Sequence, residues 1–190
     1  MAYADRLRRA LSETEYKEGA NKTIVPPSAD KALLNFFTTV KDNRNTVYFV
    51  GNGGSAAIAM HMTSDYLKNG GLRTHSMLDP SVITCLANDF GFEHIFSKQL
   101  ELIAKQDDVL VAISSSGKSP NILNAVKVAK KQGCRIVTFS GFDEDNSLRQ
   151  KGDFNIYVPS HEYGIVETIH NMILQQIVDE IVARDGVGMK

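Results

Sequence analysis

The chain has 190 residues, 43% of them apolar and 23% charged, with a formal net charge of -1. That length suits one domain with a sizeable core, and the charge balance leaves no basic stripe to make nucleic acid the default partner. No apolar run approaches the roughly 20 residues of a membrane helix, no apolar secretory segment opens the chain, and Cys85 and Cys134, both in apolar surroundings, are expected to be buried free thiols in a reducing cytoplasm.

Residues 3–20 carry helical apolar spacing through Leu7, Ala10 and Leu11. Pro26 and Pro27 break the chain, and Ser28 is placed to cap a second helix running to about Lys41, with Ala32, Leu33, Phe36, Phe37 and Val40 on one face. From residue 46 short β-branched and aromatic runs alternate with helical patterns. Strands are expected at 46–50, 73–78, 108–113, 135–140 and 154–158, and helices at 54–69, 92–105 and 119–132. A long last helix is expected at 163–184, with Ile165, Ile169, Met172, Ile173, Ile177 and Val182 as its apolar positions. The pattern implies an α/β fold: a flavodoxin-like, doubly wound, five-stranded parallel sheet of order 2-1-3-4-5. Residues 1–190 form one domain, with N-terminal helices at 1–45 and an α/β core at 46–185.

Two Gly/Ser-rich loops each follow a strand and lead into a helix. Gly51-Asn52-Gly53-Gly54-Ser55 follows the first strand, and Ser114-Ser115-Ser116-Gly117-Lys118-Ser119 follows the third. In the expected strand order these strands are neighbours at the switch point, where ligands bind beyond the carboxyl ends. Backbone N–H groups at helix starts, together with several hydroxyls, are the chemistry of a phosphate site. Ser114, Ser115, Ser116 and Ser119 supply four hydroxyls, and Gly117 permits a tight turn. The blander reading is a serine-rich helix cap. A Walker A loop would need glycine where Ala112 stands, and a dinucleotide fingerprint would put its third glycine at Ala56 with an acidic residue near Ser76–Leu78. Both patterns weigh against a nucleotide cofactor.

His61 and Asp65, four residues apart, share one helical face and suit either a metal or a shared proton, or else form an ordinary polar pair. Glu167 and His170 share a face of the last helix, while Gln175 lies two turns beyond Glu167 and further around. Asn88 and Asp89 interrupt an apolar stretch, as a turn does.

Taken together, Gly51 to Ala57, His61, Asp65, Ala87-Asn88-Asp89-Phe90-Gly91 and Ile113 to Asn121 resemble the SIS (sugar isomerase) domain family, in its phosphoheptose isomerase branch. That branch converts sedoheptulose 7-phosphate to D-glycero-D-manno-heptose 7-phosphate for bacterial surface polysaccharides. The resemblance implies a cytoplasmic homotetramer that binds a small sugar phosphate in pockets lined by more than one subunit, with neither nucleic acid nor membrane as partner. It assigns Asn52, Gly53 and Gly54 to the sugar phosphate, Ser55, Ser114, Ser115, Ser116 and Ser119 to the phosphate, and Asn88 and Asp89 to the sugar. Some members bind zinc, and the corresponding positions here are His61, Asp65, Glu167 and Gln175. Three of these four depart from the family pattern: Asp65 replaces a glutamate, Glu167 a glutamine and Gln175 a histidine. The resemblance makes Asp65, Glu167 and Gln175 the catalytic positions, with a two-carboxylate arrangement from Asp65 and Glu167. It also leaves two alternatives, an isomerase of another phosphosugar and a non-enzymatic tetrameric adaptor that binds a replication initiator.

Overall fold

The computed structural model describes residues 2–19 and 21–189. Five parallel strands form the centre: β3 (Thr46–Val50), β4 (Arg73–His75), β5 (Val109–Ser114), β6 (Arg135–Gly141) and β7 (Phe154–Val158). They lie in the order β4-β3-β5-β6-β7, which is the expected 2-1-3-4-5. Their side chains alternate between two apolar layers, as strands buried on both faces require. Val47, Phe49, Val109, Val111 and Phe139 point into one core with α1 (Tyr3–Ser12), α2 (Ser28–Asp42), α3 (Gly54–Lys68) and α7 (Tyr163–Asp185). Tyr48, Val50, Leu110, Ala112 and Ile136 point into the other, with α5 (Ser97–Ile103) and α6 (Pro120–Lys131). Among the described residues no helix is long and apolar enough to cross a membrane.

The structure corrects the expected outline in several places. Among the described residues the sheet has seven strands and is mixed. The helix expected over residues 3–20 stops at Ser12, and a hairpin follows, β1 (Glu15–Glu18) with β2 (Lys22–Ile24). β1 pairs antiparallel with β7, from Glu15 opposite Tyr157 to Glu18 opposite Phe154. Apart from Tyr16 and Ile24, which pair with each other and pack on the core, the described strand residues of this hairpin are polar, so its composition matches the surface of a helix as well as an edge strand. The strand expected at 73–78 ends at His75. Residues 92–105 split into a short 3₁₀ turn at Phe92–His94 and α5, and a helix, α4 (Pro80–Phe90), precedes them. Asp79 caps α4 by accepting from the Ser81 and Val82 amides at 2.9 and 3.1 Å, with Pro80 in the first turn. Pro27, not Ser28, occupies the cap position of α2, without a side-chain cap bond. Cys134 is buried, but Cys85 is exposed on α4.

Two buried polar groups fix the parts of the fold that matter for the loops. Asp108, just before β5, accepts from the Thr46 amide at 2.7 Å, the Lys105 amide at 3.0 Å and the Tyr48 hydroxyl at 3.3 Å. It ties the start of β3 to the start of β5 and sets their register. Burial, then the Asp108 carboxylate, pushes the Tyr48 phenol up to about 12. On α7, His170 is fully buried; its Nε2 is 3.1 Å from the Ser140 carbonyl and its ring packs edge-on to Phe139 at 5.5 Å. Burial lowers its pKa to about 4.

Asp108→Ala leaves buried donors unpaired and should lower unfolding free energy by about 3 kcal/mol in urea titrations. His170 has a folded pKa below its unfolded one, so its effect is absent above about pH 6.5. As pH falls from there toward about 4 the unfolded state takes up a proton that the folded state refuses. Wild type should therefore lose stability relative to His170→Gln across that window, by up to about 1.4 kcal/mol per pH unit, read from urea unfolding at stepped pH.

Candidate active site

β3 and β5 are hydrogen-bonded neighbours, with Val50 opposite Ala112, so the chain leaves both strands at the same edge of the sheet. The loop after β3 turns through Gly53 at φ 54 and enters α3 at Gly54. The loop after β5 turns through Gly117 at φ 62 and enters α6 at Pro120. Gly117 has a second reason to be glycine: a Cβ there would lie 1.9 Å from Asn146 Oδ1. Two helix N-termini thus open on one cavity of about 420 Å³, lined by residues 52–55, Ser114, Ser115, Ser116 and Ser119, and by Tyr163 and Glu167 of α7. First-turn amides lack intrahelical acceptors, and both helix dipoles present their positive ends, so the floor of the cavity favours an anion.

The two loops are joined directly. Asn52 Nδ2 donates to Asn121 Oδ1 at 2.9 Å, and Asn121 Nδ2 donates to Asn52 Oδ1 at 2.8 Å. Asn52, expected to contact the sugar phosphate, lines the cavity but spends its amide on the other loop. Asn121 is buried, and its Oδ1 also accepts from the Ile122 amide. From below, the Gly141 amide donates to the Ser115 carbonyl at 2.9 Å and the Leu148 amide to the Gly117 carbonyl at 3.1 Å. Asn146 holds that supporting loop through the Gly141 and Asp143 carbonyls and the Leu148 and Arg149 amides. Ser115 Oγ is buried with no partner within the protein, as a hydroxyl kept for a ligand would be. Lys118, beside the phosphate loop, is bound to Asp143 at 2.6 Å, and both are held in their charged forms by that contact.

The acid–base candidates separate. Glu167 lies across the cavity from the serine loop, packed on Gly54 so closely that a Cβ there would sit 2.2 Å from its Oε2. Partial burial raises its pKa and favours a carboxyl that can carry a proton. His61 and Asp65 face each other at 3.8 Å further along α3 and do not line the cavity. Gln175 donates to Asp179 at 3.0 Å on a different face of α7. His170 points into the core. Among the described residues no three His, Cys, Asp or Glu side chains gather as a metal cluster, so His61, Asp65, Glu167 and Gln175 of a single chain do not fit the expected zinc set. Asn88 and Asp89 end α4 rather than forming a turn; both are exposed, and Asp89 borders a separate groove with Phe90, His94 and Lys98. Two lining or supporting residues escaped the sequence reading. Tyr163 gave no signal beyond its place one turn before Glu167, whereas Asn121, directly after Pro120, stood inside a motif already noted.

The SIS domain family matches residues 3–141. The phosphoheptose isomerase of Fusobacterium nucleatum is 36% identical over 180 residues, covering 92% of this chain and 87% of that protein. The solved phosphoheptose isomerase from Francisella tularensis superposes with a TM-score of 0.80 at 27% identity, and that from Neisseria gonorrhoeae with 0.75 at 28%, each over 95% of both chains. The paired loops, the strand order that places them together and these likenesses over nearly the whole chain agree: the chain belongs to the SIS domain family.

Proposed function

We propose that the protein is a ketose–aldose isomerase that converts sedoheptulose 7-phosphate to D-glycero-D-manno-heptose 7-phosphate, supplying heptose for surface polysaccharide in the cytoplasm. The observation that carries this reading is the two-sided cavity. Helix N-termini and serine hydroxyls line one side, and a single carboxyl with a raised pKa, Glu167, stands on the other. Relatives of closely similar length named phosphoheptose isomerase support the choice of substrate.

In this reading the phosphate rests on the serine loop, with Ser115 Oγ among its donors, and anchors the open-chain sugar. C1 and C2 then lie toward the first loop, under Glu167. The Glu167 carboxylate takes a proton from C1 of the ketose, giving an enediol, and returns it to C2. The hydroxyl proton of O1 passes to O2, so that the carbonyl moves from C2 to C1 and no atom is gained or lost. Amides of the first loop stabilise the charge that develops on the oxygens.

The rest of the catalytic set belongs to a homotetramer in this reading. α3 and α7 expose apolar Met60 and Met172 on the surfaces that also carry His61 and Gln175, which suits contact with further copies. Asp65 and Gln175 would then act at a cavity completed by a neighbouring subunit. A zinc or other divalent ion would likewise need donors from more than one chain, and no step above runs through one.

Incubation with sedoheptulose 7-phosphate should yield the aldose, and absence of any turnover with tight ligand binding would favour the adaptor reading instead. Glu167→Gln should lower kcat by about 10²–10⁴-fold while leaving sugar-phosphate binding intact. Gly54→Ala is a sharper test because its backbone conformation tolerates alanine. The added methyl displaces the Glu167 carboxyl, so kcat should fall about 10²-fold with unfolding free energy changed by less than about 1 kcal/mol.

A further inference from the structure

Among the described lining residues, those outside the two loops come from α7: Glu167, packed on Gly54, and, one turn earlier, Tyr163. Tyr163 is 62% exposed, an aromatic ring left largely uncovered at the rim of a polar cavity. Its position is nonetheless fixed from two directions. Phe142 packs against it with ring centroids 4.8 Å apart at 76°, and Phe142 itself stacks on His161 at 5.7 Å. Phe142 sits at φ 59, a region that bulky residues seldom occupy. It is held there by its amide donating to the Ser160 carbonyl at 3.0 Å and by its carbonyl accepting from the Tyr157 hydroxyl at 2.8 Å. On the other side, Arg6 of α1 grips Glu162, the cap residue of α7, through two hydrogen bonds of 3.0 and 3.2 Å. A left-handed phenylalanine and an ion pair from another helix therefore converge on the turn that presents one exposed ring to the cavity. Unusual backbone conformations persist where surrounding structure enforces them, and they cluster at ligand clamps.

We infer that Tyr163 is a specificity-determining contact: its ring face packs on the C–H face of the sugar chain, beyond the phosphate, and favours long phosphosugars over short ones. This rests on the sugar-phosphate reading of the cavity. Aromatic rings offer large, rigid apolar area to such faces, and a contact of this kind is worth about tenfold or more between a ligand that makes it and one that does not. A three-carbon phosphate ester reaches the serine loop without extending to Tyr163, whereas a seven-carbon one spans the cavity.

The test is calorimetric titration of wild type, Tyr163→Ala and Tyr163→Phe with sedoheptulose 7-phosphate and with glycerol 3-phosphate. Tyr163→Ala should weaken the heptulose phosphate by about tenfold or more and leave glycerol 3-phosphate within about twofold, while Tyr163→Phe stays near wild type for both. An unchanged heptulose affinity in Tyr163→Ala, an equal loss for both ligands, or an equal loss in the Phe and Ala variants overturns the inference while the sugar-phosphate reading stands. Wild type that binds neither ligand overturns both.

Discussion

The reciprocal hydrogen bonds between Asn52 and Asn121 join two loops that lie 69 residues apart in the chain. Each loop alone is a strand-to-helix turn with a modest attraction for anions. Locked side by side, they point two helix N-termini and a row of hydroxyls into one space, so that a phosphate on the serine loop leaves the first loop's amides facing the rest of the ligand. The amide pair forms because β3 and β5 are adjacent, and Asp108 sets their register at the opposite end of the strands. The cavity is thus a consequence of strand order, read out at the carboxyl edge of the sheet.

Much of this was legible in the sequence because it depends on local chemistry. Buried strands need β-branched runs, glycines mark the turns, and serines clustered before a proline mark a helix start that faces a ligand. What escaped depends on tertiary context. Glu15 to Glu18 form a strand only because β7 offers an edge to pair with; their charges suit an exposed helix equally well. Helix α4 carries a start signal in Asp79 and Pro80, while Asn88 and Asp89 near its end have the composition of a turn. Tyr163 has no motif at all. Its place is set by Phe142 and by the Arg6–Glu162 pair, which lie far apart in the chain.

The site divides along the same line. Its anion-attracting half is local to two loops. The acid–base candidates of the proposed reaction are spread over α3 and α7; His61, Asp65 and Gln175 do not line the cavity, whereas Glu167 does. Burial raises the pKa of this carboxyl while Gly54 leaves room for it. In the proposed isomerase this carboxyl gives the cavity an acid–base group of its own.

In the proposed reaction this cavity moves a proton between C1 and C2 of a ketose phosphate. Proton NMR of sedoheptulose 7-phosphate incubated with the protein in D₂O tests it most directly. Solvent deuterium should enter at C1 of the ketose and at C2 of the aldose as the enediol exchanges its proton at Glu167. Saturating ligand that forms no aldose and takes up no deuterium at either carbon would contradict this reaction.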